Sequence, residues 1–352
     1  MAVAHFGELA ALTTACCWTV TGLSFEAAGK RVGSLSVNLI RLFLALGFLT
    51  LFGLITRGRP LPLDAPAQAW LWLGLSGLIG FSIGDLCLFR AYVLVGSRVS
   101  MLLMALVPPM VALIGCVFLN ETLMLRDWIG MAITVGGVGW VILEGRGANA
   151  AAQAAAEPAL AAAARGRAAR APAGAADRDE VGGTGFSGEF APVALAISQK
   201  LLPAAVHHDK RWRGVLLALV GAISQAVGLV FSKRGMGDYN AFASTQIRII
   251  LGIAGFIVIF FLTHWWQRAF QALFNRPAMV RIGLGAFFGP FLGVSFSLLA
   301  VQHTQAGIAA TIMALVPVFI ILPSVLVFHE KVSTRAIIGA CLAVAGTALL
   351  FL

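Results

Sequence analysis

A shift of 209 positions lays residues 91–143 over 300–352 without a gap, and this internal repeat limits the fold more than any other feature of the chain. Met104-Ala105-Leu106-Val107-Pro108 falls on Met313-Ala314-Leu315-Val316-Pro317, Glu121 on Glu330, Arg126 on Arg335, Ile129-Gly130 on Ile338-Gly339 and Gly137 on Gly346. The same shift carries Gly74, Gly80 and Gly84 onto Gly283, Gly289 and Gly293. Offsets of 206 to 207 bring Gly22-Leu23 onto Gly228-Leu229 and Arg41 onto Arg248. Five identities in a row are more than apolar composition supplies, so the chain consists of two related halves.

Ten apolar runs lie among these landmarks, at about 7–28, 35–56, 69–89, 97–119, 126–144, 213–233, 243–263, 279–301, 307–328 and 335–352. Each approaches the ~20 residues that a helix needs to cross a bilayer core. Five spans per half is an odd number, so a half that enters from one side leaves on the other and the second half runs inverted. The expected fold is all-α and integral to the membrane, with ten transmembrane helices as two inverted five-helix repeats over 1–145 and 213–352. Inverted repeats are an architecture of secondary transporters, whose halves rock about a midplane site.

Composition agrees. Apolar residues make up 59% of the 352 and charged residues 11%, with a mean hydropathy of +0.91. Soluble domains carry roughly 25% charge, so a soluble or disordered reading fails for most of the length. The formal charge of +10 is spread one to three residues at a time between apolar runs, the pattern of loops anchoring helices. A nucleic-acid partner would need clustered cations with aromatic platforms. The five cysteines lie inside apolar runs without CxxC spacing, which argues against a disulfide framework. No Lys or Arg precedes the first run, so it is expected to stay as a helix and not to be removed as a signal peptide. Residues 146–212 differ from the rest: of the 29 positions from Ala148 to Ala176, 18 are alanine, and Pro158, Pro172 and Gly182-Gly183 interrupt them. This stretch is expected to be a largely disordered linker.

The repeated pattern of Pro, then Glu at a helix end, then a Gly-rich helix (Pro108, Glu121, Gly130, Gly137; Pro317, Glu330, Gly339, Gly346) resembles the EamA-type family of the drug/metabolite transporter superfamily. Arg near the start of the second helix of each half, at Arg41 and Arg248, fits the same resemblance. It implies ten helices, a central cavity between the halves, and export or uptake of small metabolites across the cell membrane.

Ionisable groups at membrane depth cost about 2.5–3.5 kcal/mol on insertion scales and are functional candidates by default. Asp85, late in the third run, is the clearest, with Arg90 at i+5 as its expected partner and Val294 at its repeat position. Arg41 and Arg248 lie about 7–9 Å inside their helices by the rise per residue, with Asn38 and Gln246 nearby. Trp18, Thr21 and Gln225 add polar and aromatic groups in the first helix of each half. These eight residues are the cavity candidates, against snorkelling and ordinary helix packing. Pro108 and Pro317 remove backbone donors and are hinge candidates. Neither a metal site nor a cofactor is expected; His207-His208-Asp209 lies in the linker and its adjacent histidines diverge.

The partners expected are a small-molecule substrate and the lipid bilayer, with coupling to a proton or another ion left open. A rival reading, an intramembrane hydrolase, rests on Gly80-Phe81-Ser82-Ile83-Gly84, with Ser82 as nucleophile and His303 as base. That motif requires a strand-to-helix elbow, which a spanning helix does not supply. A channel or scaffold without a transport cycle is the third reading. For orientation the resemblance implies cytoplasmic termini, whereas a count of Lys and Arg in short loops, five on the terminal side and nine opposite, favours the reverse.

Overall fold

The computed structural model describes residues 5–88, 90–91, 100, 103–140, 210–316, 318–319 and 334–351, and the secondary structure among them is helical throughout. The alanine-rich stretch and Pro317 lie outside the described residues. The first half runs α1 (Phe6–Val32), α2 (Ser34–Arg57), α3 (Ala67–Leu88), α4 (Val107–Phe118) and α5 (125–140). The second runs α6 (Lys210–Met236), α7 (Ala241–Thr263), the short α8 (Trp266–Leu273), α9 (Arg276–His303), α10 (Ala306–Met313) and α11 (Thr334–Leu349). Among the described residues, five helices are long and apolar enough to cross a membrane: most of α2, α3, most of α6, α7 and α9.

The boundaries repeat with the sequence. Ala67 and Arg276, which open α3 and α9, differ by 209, as do residues 125 and 334, which open α5 and α11. Both third helices widen into a π-helical segment at the same place, Leu78–Gly84 in α3 and Phe287–Gly293 in α9. Glycines leave the backbone free to adopt the wider turn. In α9 the segment also houses Pro290, whose missing N–H would break a regular helical ladder.

The fourth helix is interrupted where the five-residue identity lies. Turns at Ala105-Leu106 and at Ala314-Leu315 separate a short helix from the next, closed by Leu106 N–H to Leu103 O at 3.1 Å and Leu315 N–H to Ile312 O at 3.1 Å. Pro108 therefore occupies the first turn of α4 instead of kinking a continuous helix over 97–119, at a position where a helix has no partner for an N–H. Two further features depart from expectation. One residue, Gly33 at φ 78°, joins α1 to α2, where a six-residue loop was expected. And α8 fills a connection read as loop; it turns Ala269 and Ala272 inward and Phe270 and Leu273 outward, too short to span and hence silent in hydropathy.

Packing is reciprocal between halves. Helix α1 lies on the wide turn of α9: a Cβ added to Gly285, Gly289 or Gly293 would come within 2.3, 2.7 and 2.7 Å of Phe25, Thr21 and Trp18. Helix α6 lies on the wide turn of α3 through the equivalent positions. Ser232 bonds Ser76 at 2.6 Å, Gly228 meets Gly80, and Gln225 meets Gly84. An offset of 207 carries Trp18, Thr21 and Phe25 onto Gln225, Gly228 and Ser232, and one of 209 carries Ser76, Gly80 and Gly84 onto Gly285, Gly289 and Gly293. Helices α5 and α11 form a second self-matched seam, in which Gly137 meets Gly339 O and Ala343 N while Gly346 meets Gly130 O and Thr134. Small residues at such seams allow the close approach on which helix association in lipid depends. Phe48, Phe52, Phe242 and Phe291 knit α2, α7 and α9, with ring centroids 4.5–6.1 Å apart.

Neighbouring glycines on α5 test this seam. A Cβ on Gly137 would sit 2.5 Å from Ala343 N, whereas one on Gly136 meets nothing within 4 Å. Gly137→Ala is expected to destabilise by roughly 1–3 kcal/mol and Gly136→Ala to leave stability unchanged or slightly raised, read as Tm of the purified protein in detergent.

Candidate functional site

Arg41 lies seven residues beyond Ser34 on α2, about 10 Å inside the helix at 1.5 Å per residue. Its guanidinium forms an ion pair with Asp85, which follows the wide turn of α3. Gln225 of α6 completes the group: Nε2 donates to Asp85 Oδ1 at 3.2 Å and to the Gly80 carbonyl at 3.3 Å. The Phe25 ring of α1 lies under the guanidinium, 5.3 Å from centroid to Cζ. Four helices from both halves thus meet at one buried acid. Arg90 does not fill the role expected of it. A residue at i+5 is rotated about 140° around the helix, which turns Arg90 away from Asp85, and Arg41 from the neighbouring helix supplies the charge instead.

Arg248 lies seven residues beyond Ala241 on α7, the counterpart of Arg41 in depth. It is 6% exposed, with its guanidinium over the Phe81 ring at 5.1 Å. Among the described residues it has no carboxylate partner and its Nε has no hydrogen-bond acceptor.

The remaining candidates divide. Trp18 is half-buried against Gly293, the position matching that of Gln225 against Gly84. Thr21 directs its hydroxyl to Cys17 O at 2.8 Å and packs on Gly289. Asn38 is buried one turn before Arg41. Gln246 is remote from both arginines' partners: its Nε2 donates to Pro60 O at 2.8 Å and Thr50 Oγ1 at 3.0 Å, fastening α7 to the end of α2. Pro108 stands in the first turn of α4. Ser82 donates to the Gly252 carbonyl at 3.2 Å, a helix-to-helix contact, while His303 packs its ring on Phe6 at 5.1 Å. Among the described residues no group of His, Cys, Asp and Glu is placed to hold a metal.

Sequence reasoning missed the polar clasp at the end of the bundle where residues 5 and 351 lie. Lys233 Nζ reaches Glu121 Oε1 at 2.6 Å and the Thr304 carbonyl at 2.6 Å. Glu121 also accepts from Ala306 N at 3.0 Å, capping α10 of the other half, where a carboxylate matches the positive end of the helix. Thr304 donates to Glu8 at 3.0 Å. A polar recess of about 610 Å³ opens beside these residues. Beside it Arg57 pairs with Asp64 at 2.5 Å and Tyr239 donates to Asp64 at 3.0 Å. Burial opposes charge on Asp64, but the Tyr239 hydroxyl, its own backbone, Arg57 and Arg59 outweigh that and hold its carboxyl below the usual range. The repeat of Glu121 as Glu330 was a visible clue to the clasp; the identity of its cation was not.

Comparison with known proteins gives the following. The family described as the EamA-like transporter family matches residues 5–143 and 212–352, once in each half. Protein LicB of Haemophilus influenzae (strain ATCC 51907 / DSM 11121 / KW20 / Rd) is 29% identical over 141 residues, 39% of this chain and 47% of that protein. The chain thus spans about half the length of that curated relative. A protein of known crystal structure superposes with a TM-score of 0.62 at 16% identity, over 97% of this chain and 95% of the other, a likeness of fold.

Two measurements test the charges. Arg41→Met and Asp85→Leu each leave a buried charge unpaired and are expected to cost roughly 3–5 kcal/mol singly, with the double variant recovering most of it; additive losses in Tm would contradict the pairing. Asp64, with its pKa lowered by folding, contributes stability above its unfolded pKa that is lost as pH falls through the folded value. The Tm advantage over Asp64→Asn is therefore expected to be constant near neutral pH and to vanish on acidification through the carboxylate range.

Proposed function

The chain belongs to the EamA-like transporter family, of the drug/metabolite transporter superfamily, and on that premise we propose that it is a secondary transporter which moves a small organic metabolite by alternating access, in the direction of export. Ten helices in two inverted repeats provide the frame, with the Ala-rich stretch as a linker between them. The observation that carries this reading is the reciprocal seating of α1 on α9 and of α6 on α3. Each half's first helix holds the other half's third helix at its wide turn, so the two matched contacts are the seats about which one half can rock on the other. Wide turns of this kind recur at functional sites because the locally loosened ladder can change its register.

The charged contacts lie toward opposite ends. Glu121–Lys233 and Arg57–Asp64 join elements at the end that holds residues 5 and 351, and Arg41–Asp85 ties α2 to α3 toward the other. Contacts that form at one end and release at the other are what a two-state rocking cycle requires. Trp18, Thr21, Asn38, Arg41, Asp85, Gln225 and Arg248 are proposed to line the path between them. Hydrolysis is disfavoured by Ser82, whose proton is committed to the Gly252 carbonyl. The protein is an integral membrane protein by family and by its apolar helices, and the cell membrane is its proposed location.

Cells with and without the gene, compared by untargeted metabolite profiling inside and outside, test the proposal. A small set of solutes is expected to redistribute across the membrane in a manner abolished by Asp85→Asn and retained in Ser82→Ala. Identical profiles would overturn it, and loss in Ser82→Ala with accumulation of hydrolysis products would favour the hydrolase.

A further inference from the structure

The two halves agree in depth at Arg41 and Arg248 but disagree in neighbours and in charge. Arg41 has Asp85. A shift of 209 carries Asp85 onto Val294, a buried aliphatic residue on α9, so the carboxylate that neutralises the first arginine has no counterpart at the second. Asp85 neutralises Arg41, whereas Arg248 has no acid among the described residues.

A cation about 10 Å inside a spanning helix cannot reach the interface as cheaply as one at its end. Arg90, the other buried arginine without an acid among the described residues, lies five residues beyond Asp85 toward the end of its helix. Arg248 is enclosed. The Phe81 face beneath it offsets part of the cost of an unpaired buried charge but supplies no counter-charge. A Cβ at Gly80 would stand 3.6 Å from Arg248 Nη2, and the Gly80 carbonyl is turned to Gln225. Both N–H donors of Gln225 are committed, to Asp85 Oδ1 and to the Gly80 carbonyl.

We propose that Arg248 is the anion-recognition residue of the transport path, and that the substrate is a small organic monocarboxylate whose carboxylate pairs with this guanidinium. This rests on the transporter reading above and adds the charge class of the solute. A planar guanidinium bonds a carboxylate through two parallel N–H···O contacts, and one bound monoanion neutralises the charge of Arg248. Val294 is then the position that keeps the site open to an outside anion, because an acid there would occupy the guanidinium as Asp85 occupies Arg41.

The test uses the full-length protein purified in detergent. Tm is measured with acetate, lactate and benzoate, each against its matched amide at equal ionic strength. In the wild type at least one carboxylate is expected to raise Tm saturably beyond its amide. The rise is expected to be lost in Arg248→Gln and in Val294→Asp, and to persist in Arg248→Lys with an apparent Kd about tenfold weaker, since an ammonium cannot bond in two parallel contacts. Val294→Asp neutralises a buried charge, so it remains informative if Arg248→Gln fails to fold. No advantage of any carboxylate over its amide, or an unchanged advantage in Val294→Asp, would overturn the proposal. Solute counterflow in proteoliposomes separates the two readings. Carboxylate binding without counterflow would overturn transport and leave the anion site; counterflow of neutral or cationic solutes without carboxylate stabilisation would do the reverse.

Discussion

Close contact between the first helix of one half and the wide, glycine-rich turn of the other half's third helix is the constraint on which the rest of the structure depends. Lipid tails are as apolar as leucine, so helices in a bilayer gain little from burying leucine against leucine and must gain from close packing and matched polar contacts. Gly285, Gly289 and Gly293 supply that closeness to Phe25, Thr21 and Trp18. Ser76, Gly80 and Gly84 supply it to Ser232, Gly228 and Gln225, with the Ser76–Ser232 hydrogen bond added. The two contacts are copies of each other, and together they make one body of two halves that are not adjacent in sequence.

Upon this near-symmetric frame the charges are distributed unequally. The acid that Arg41 finds in Asp85 is Val294 in the second half, and Trp18 stands where the other half has Gln225. A duplicated frame with differentiated side chains is suited to a path that must present different chemistry to its two ends. It also explains why Gln225 can bridge Gly80 and Asp85, which an indole at that position could not do as a single N–H donor.

Much of the frame was legible because repetition is a long-range signal printed directly in the sequence. The starts of α3 and α9, and of α5 and α11, lie within three residues of the apolar runs read for them. What stayed hidden has physical reasons. Hydropathy cannot distinguish a helix from one interrupted at Ala105-Leu106, nor detect an eight-residue helix such as α8. The partner of Asp85 was sought nearby in the chain at Arg90, but helical rotation excludes that residue and the true partner is 44 positions away. Nothing local to Lys233 announces Glu121, 112 residues earlier. Arg41, Asp85 and Gln225 were each singled out from depth and polarity alone, while their meeting required the crossed packing of α6 on α3.

The central claim is that the two halves move against each other, and the Glu121–Lys233 clasp offers the most direct measurement of it. Paired cysteines at these two positions, in a chain whose native cysteines are replaced by serine, can be oxidised to a disulfide in proteoliposomes loaded for counterflow of the solutes that the metabolite comparison identifies. The account predicts that oxidation stops counterflow and that reduction restores it, because the end that carries residues 5 and 351 must open in every cycle. Counterflow that continues unchanged with the disulfide formed would contradict it.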